Sequence, residues 1–238
     1  MARDLNRPLP AVTDPGVWAE VTVPYTDARA KPRPDADVIY RLYYSAVFQV
    51  VGRVDDESGA AWYVIRDKGG QRLHTPASGL RPISPDDLSP ISPGVPDKRL
   101  VISLNQQMLV AYEGDRPVFH TRVSTGTSWF GEGGALMDFN TPFGDHRVYS
   151  KWIADHMRGD DFDLPGVAWV TYFTASGAAV HSTYWHNDYG RPRSHGCVNT
   201  PPAAARWVFR WTTPDVPYHP GLARGRGNST PITVQYDL

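Results

Sequence analysis

Ser194-His195-Gly196-Cys197-Val198-Asn199 holds the only cysteine in 238 residues. His195 stands two positions before it, and His181-Ser182-Thr183 begins sixteen positions before it. A thiol becomes a competent nucleophile as thiolate, which needs a cationic or basic neighbour such as imidazole. If the segment carrying Cys197 is extended, His195 and Cys197 point to one side, because side chains alternate along a strand. His181 then approaches from a separate strand, joined by the loop Tyr184 to Arg193. A free cysteine can equally be an inert small residue of a core. Gly196 favours chemistry: without a Cβ it lets a substrate backbone approach and frees nearby amides to act as an oxyanion hole. The candidate reaction is acyl transfer by a Cys–His pair.

The elements that must position this pair can be read on either side of it. Val167-Ala168-Trp169-Val170-Thr171-Tyr172-Phe173 and Ala178-Ala179-Val180-His181 are aromatic and β-branched runs split by Ala175-Ser176-Gly177, which predicts a hairpin with His181 at a strand end. After Asn199, Thr200 as N-cap and two prolines in the first turn predict the one clear helix, running to Trp211. Cys197 then lies just before a helix N-terminus, whose partial positive charge favours thiolate and oxyanion. Upstream, Leu100–Leu104, Met108–Tyr112 and Val118–Val123 read as strands, with a turn at Glu113-Gly114-Asp115. Gly126 to Gly134 reads as a flexible loop over a groove, with Trp129 and Phe130 as contacts. It lacks the Gly-Lys-Ser/Thr that a phosphate loop needs. Lys151 to Pro165 carries four aspartates without the terminal Glu of a calcium loop, and reads as a solvated loop. Ile232–Tyr236 closes the sheet.

His181-Ser182, the sixteen-residue step and Ser194-His195-Gly196-Cys197-Val198-Asn199 together resemble the signature of the L,D-transpeptidases, the YkuD-like catalytic domain of bacterial cell walls. Lys98 to Gly126 is similar to the opening hairpins of that domain, and Thr141-Pro142-Phe143-Gly144 to its internal turn. Many members carry His-Gly where this chain has His181-Ser182. The resemblance implies that Cys197 forms a thioester with a stem peptide and releases D-alanine, with His181 as the base; from the residues alone His195, nearest in sequence, is the rival base. It implies site support from Ser194, His195, Gly196 and Asn199. Substrate contacts would come from Ser182, Tyr184 and Arg191. It implies no cofactor, peptidoglycan stem peptides as partners, carbapenem-type β-lactams as covalent inhibitors, and a monomer. Its substrate lies outside the cytoplasmic membrane, so cell wall or periplasm is expected, with a leader absent from this chain. Water as acceptor would make the same site an L,D-carboxypeptidase. A different class stays open from the residues alone: His181, His186, His195 and Cys197 would also suit zinc, although no metal-ligand spacing occurs, or the protein binds cell wall without catalysis.

The rest of the chain sets limits. With 24 basic and 25 acidic residues the net charge is −1, which argues against a nucleic-acid partner. One cysteine permits no internal disulfide, and no apolar run is long enough for a transmembrane helix. With 22 prolines and 21 glycines, turns and short strands should outweigh helices. Residues 1–16 read as an N-terminal arm. Residues 17–84 show short alternating strands with turns at Lys31-Pro32, Asp55 to Gly59 and Lys68-Gly69-Gly70, the cadence of a small barrel. Gly59-Ala60-Ala61-Trp62-Tyr63-Val64 within them resembles the bacterial SH3-like domain. Residues 85–97, with four prolines, read as a linker, and 98–238 as the catalytic domain. The expected fold class is therefore mostly β: an SH3-like barrel followed by a β-sandwich-like L,D-transpeptidase domain with one helix after the cysteine.

Overall fold

The computed structural model describes residues 8–67 and 69–238, without the side chains of Trp129 and Glu132. Residues 1–7 of the expected arm, Lys68 of the third turn and the Trp129 ring expected over a groove lie outside them. The chain is mostly β and divides into two compact units. The first holds the residues up to Leu88 together with Ala154–Val167, and the second holds Ser89–Ile153 and Ala168–Leu238.

The first unit contains β1 (Val17–Val21), β2 (Tyr25–Arg29), β3 (Val38–Tyr43), β4 (Val47–Asp55), β5 (Ala61–Arg66), β6 (Arg72–Pro76) and β7 (Leu80–Pro82). They form one sheet in the order β3-β2-β6-β5-β4-β1-β7. The turn between β4 and β5 is built by Asp56. Its carboxylate accepts the Ser58 and Ala60 N–H groups (2.9 and 3.0 Å) and the Trp62 indole N–H (2.9 Å). Bonds from Ser58 and Trp62 pull its pKa down to about 2. Residues 8–16 do not hang free. Leu9 N–H donates to the Tyr63 hydroxyl (3.0 Å), Arg53 donates to the Leu9 carbonyl (2.6 Å), and Gln49 donates to the Pro15 carbonyl (2.8 Å). Polar side chains of β4 and β5 thus satisfy a backbone that has no ladder of its own.

The second unit continues with β8 (Lys98–Ser103), β9 (Met108–Glu113), β10 (Arg116–Arg122), β11 (Ser128–Phe130), β12 (Leu136–Asp138), β13 (Gly144–Arg147), β14 (Ser150–Arg158), β15 (Asp163–Tyr172), β16 (Ala179–Ser182), β17 (Val198–Thr200), α1 (Pro202–Trp211), β18 (Leu222–Arg224) and β19 (Pro231–Gln235). The outer ends of β14 and β15 belong to the first unit. Two five-stranded sheets run β10-β9-β8-β19-β13 and β17-β16-β15-β14-β18. Leu100, Ile102, Leu109, Ile232 and Val234 of one sheet meet Val180 and Val198 of the other in one core, together with Val208 and Trp211 of α1. Each such side chain, taken out of water, contributes about 1.5–3 kcal/mol.

Three expectations are corrected here. Lys151 to Pro165 is not a solvated loop but part of the β14–β15 hairpin, with Lys151, Ile153 and His156 buried. Gly126 to Gly134 contributes β11, paired with β12, rather than an unstructured loop. The proline-rich stretch is also tied down. Pro85–Leu88 is a 3-10 turn, Ile91 N–H donates to the Arg210 carbonyl (3.0 Å), and Arg210 donates to the Ser89 carbonyl (2.8 Å).

Helix α1 turns Ala204, Ala205, Val208 and Phe209 inward at helical spacing. Its N-cap is Pro201, not Thr200, and Pro202 follows at the first helical position. Prolines bring no N–H to that end, so less needs capping. Thr200 remains extended, and its hydroxyl donates to the His181 carbonyl (2.9 Å). At the other end two buried lysines meet the free carbonyls. Lys98 Nζ donates to Trp211 (3.0 Å), and Lys151 Nζ donates to Thr212 and Pro214 (2.6 and 2.7 Å). Cations are favoured at that end of a helix.

Candidate active site

Strands β16 and β17 run side by side in parallel, with Val180 opposite Val198, His181 opposite Asn199 and Ser182 opposite Thr200. Val180 and Val198 point into the core, so alternation sends His181 and Asn199 to the other face. Cys197 precedes Val198 by one residue, in the bend just before β17. The hairpin of β15 and β16, registered through Thr171–Val180 and Tyr172–Ala179, delivers the histidine as the sequence implies.

His181 is buried, and its Nδ1 donates to the Ser182 carbonyl (2.9 Å). That bond fixes the tautomer and leaves the Nε2 lone pair as the basic site. Burial pushes the imidazole pKa down to about 4, although the Ser182 bond opposes it. Cys197 is partly exposed. Packing around the sulfur pushes the thiol up to about 11, opposed by a bond from the Ala179 N–H. The thiol donates to the Gly177 carbonyl at 3.6 Å. Both shifts favour the neutral forms, a thiol and an imidazole.

The turn before the cysteine is held from within and from without. Ser194 Oγ donates to the Cys197 carbonyl and accepts the Gly196 N–H (3.2 Å). Gly196 has φ +105°, which demands glycine. The extended segment expected at His195 is absent, since β17 starts only at Val198 and the bend at Gly196 breaks the alternation. His195 is exposed, its ring edge-on to Phe139 with centroids 4.7 Å apart. The Gly196 amide is taken by Ser194, so it is not the spare oxyanion donor that the sequence suggested. Residues 123–127 staple this turn in place. Ser124 bridges Asn199, Gly126 bridges Ser194, and the Arg193 and Ser194 N–H groups both donate to the Thr125 carbonyl (2.8 and 2.9 Å). Gly126 lies so close to the chain at 139–141 that an added Cβ would meet the Phe139 oxygen at 2.0 Å.

The loop between β16 and β17 carries rings around His181. Trp185 packs on His181 (5.8 Å) and on Tyr184 (5.0 Å), and His186 lies against Tyr189 (5.5 Å). The Tyr189 hydroxyl donates to the Thr183 carbonyl (3.4 Å), and burial pushes its pKa up to about 12. Tyr184 is half-buried in this cluster and Arg191 is exposed. Ser182 is fully buried, its hydroxyl accepting the Ala168 N–H (3.2 Å), so it props β15 and faces no ligand. Thr200, Gly126, Trp185 and the contact between His186 and Asn199 were not picked out in the sequence. Asn199 and His186 had signals of their own, one through its place after Cys197 and the other as a histidine in the loop, but their contact had none. Among the described residues no three His, Cys, Asp or Glu side chains group as a metal site.

Residues 97–233 match the family model described as the L,D-transpeptidase catalytic domain, YkuD. Among curated proteins none matches. Solved structures that are similar include an L,D-transpeptidase from Xylanimonas cellulosilytica DSM 15894, at 27% identity over 61% of this chain with a TM-score of 0.41. The alignment spans 63% of the length of that relative. One from Mycobacterium tuberculosis H37Rv is 17% identical over 97% of this chain and 81% of its own, with a TM-score of 0.45. An L,D-transpeptidase in complex with imipenem is 17% identical over 98% and 85%, with a TM-score of 0.44.

Proposed function

Since the chain belongs to the YkuD family of L,D-transpeptidase catalytic domains, we propose that it cross-links peptidoglycan stem peptides through a thioester on Cys197. The observation that supports this is the parallel register of β16 and β17, which sets His181 opposite Asn199, two residues after Cys197, with the His181 Nδ1–H held by the Ser182 carbonyl so that Nε2 is the basic nitrogen. The thiol turns from the Gly177 carbonyl toward the imidazole. Sγ attacks the carbonyl between the L-centre of diaminopimelate and the terminal D-alanine while Nε2 takes the thiol proton. The Cys197 N–H serves the tetrahedral oxyanion; losing one such donor typically costs about a hundred- to a thousandfold in rate. His181 returns the proton to the departing D-alanine, leaving the thioester. An amine of a neighbouring stem attacks it, loses its proton through His181, and the thiol is regenerated.

Ser194 shapes the nucleophile turn, His195 and Arg191 stand at its exposed rim, and Tyr184 supports Trp185. The site needs no cofactor. Residues 17–84 serve as an SH3-like companion domain in this reading, and the protein works outside the cytoplasmic membrane. Intact-mass spectrometry after incubation with a tetrapeptide stem, and separately with a carbapenem, tests the reading. Wild type should gain one acyl adduct and Cys197→Ser none. A wild type that stays unmodified by both acyl donors overturns the proposal. A supplied amine missing from the product, with water in its place, makes the enzyme an L,D-carboxypeptidase.

A further inference from the structure

We propose that His186 is a positioning residue that turns the Asn199 carboxamide over, so that Asn199 presents a spare N–H to the Cys197 sulfur as it becomes thiolate. The inference rests on Cys197 being the nucleophile. His186 sits in the loop between β16 and β17, with Nε2 2.8 Å from the Asn199 carboxamide nitrogen as placed. Its Nδ1 accepts the Asp188 N–H at 3.2 Å. A neutral imidazole has a single acceptor nitrogen, so Nε2 carries the proton. Two donors cannot face each other. The two ends of a carboxamide share one outline and are assigned by their partners, so the oxygen of Asn199 belongs on Nε2–H and its nitrogen at the opposite end.

That opposite end is buried and has no partner among the described residues. A buried donor left unpaired costs free energy until something arrives to accept its proton. Asn199 lies opposite His181 in register and two residues after Cys197. In the resting state the thiol donates to the Gly177 carbonyl. A rotation about χ1 carries the sulfur away from that carbonyl, where negative charge is unwelcome, and toward His181 and Asn199. Once His181 takes the proton, the sulfur becomes an acceptor and the waiting N–H gains its partner. The charged groups beside His186 are Asp188 and Arg193, paired with each other at 3.2 Å. Trp185 and Tyr189 cover the ring (6.2 and 5.5 Å) and hold it in the plane this requires.

Alkylation of Cys197 by iodoacetamide at pH 8 tests the inference without any wall substrate. Asn199→Ala and His186→Phe should each slow alkylation about tenfold, the equivalent of one unit in the thiol pKa. His186→Gln places an amide nitrogen where Nε2 stood, and should stay within about twofold of wild type. Thermal melting confirms that each variant is folded. Wild-type alkylation rates in His186→Phe, or equal slowing in His186→Gln, overturn the proposal. Nitrogen-15 NMR of the wild-type histidines decides the tautomer independently of any variant. A pyridine-like Nδ1 and a protonated Nε2 on His186 are expected, and the reverse tautomer overturns the argument. A chain that passes both measurements yet is never acylated refutes the enzyme and leaves this arrangement standing.

Discussion

Replacing His181 by glutamine should remove a specific part of the pH dependence of stability. In the folded chain burial holds the imidazole near a pKa of about 4, against 6.5 for a free histidine. The folded value lies below the unfolded one, so on acidification the unfolded chain binds the proton first. The stability contributed by the neutral imidazole is complete above pH 6.5 and drains away as pH falls toward 4. Two and a half pH units at about 1.36 kcal/mol each give about 3 kcal/mol. Urea unfolding of wild type and His181→Gln at half-unit steps from pH 8 to pH 4 isolates the term, because every other group titrates in both proteins. Wild type should lose about 3 kcal/mol more than the variant across that window. On the proposed mechanism the same group is the base, so carbapenem acylation of wild type should keep its plateau down to about pH 4, with no limb near 6.5. His181→Gln should acylate about a hundred- to ten-thousandfold more slowly. Parallel loss of stability in the two proteins, or an acid limb at 6.5, refutes the argument that burial keeps this base neutral.

Two further substitutions test the scaffold. Gly126→Ala would press a Cβ to 2.0 Å from the Phe139 oxygen and 2.6 Å from the Thr141 nitrogen. Backbone cannot yield as a side-chain tip can, so a melting curve should show a loss of several kcal/mol or no folded protein. Lys151→Met keeps the length of the buried stem but strands the Thr212 and Pro214 carbonyls. At about 1–3 kcal/mol per orphaned acceptor, chemical denaturation should register about 2–6 kcal/mol for the two carbonyls, and an unchanged midpoint would show that water reaches the helix end.

What could be read in the sequence was local. The cysteine turn, the hairpin carrying His181 and the helix to Trp211 each announce themselves within about a dozen residues, through glycine, proline and aliphatic spacing. The β14–β15 hairpin was missed because its inward positions are filled by Lys151 and His156 as well as Ile153. The buried positions 151, 153 and 156 break a strict period of two, a lysine and a histidine among them do not look apolar, and the four aspartates pulled the reading toward a loop. Thr200 was assigned to the helix by its type, but its hydroxyl had a better use on the His181 carbonyl. The pairing of β8 with β19 and the grip of residues 123–127 on the nucleophile turn join segments far apart in the chain, which no local pattern encodes. Both His186 and Asn199 were visible as residues. Their contact depends on how a loop of ten residues folds back, and that is decided by Tyr189, Trp185 and the Asp188 amide rather than by spacing.

The sequence suggested a helix end that favours thiolate, whereas packing around Cys197 and His181 favours the neutral thiol and the neutral imidazole. With the thiol pushed up to about 11 and the imidazole down to about 4, an ion pair is a minor species before an acyl donor binds. In the proposed reaction proton transfer and carbon–sulfur bond formation then proceed together, since each makes the other affordable. A neutral thiol reacts slowly with small oxidants, whose attack depends on thiolate character and exposure. An acyl donor differs because it brings a carbonyl that receives the electron pair as the proton reaches Nε2. On the proposed mechanism the packing around Cys197 thus sets selectivity as well as rate. By this logic a substitution that opens the site to water should quicken oxidation of Cys197 by peroxide while slowing its acylation.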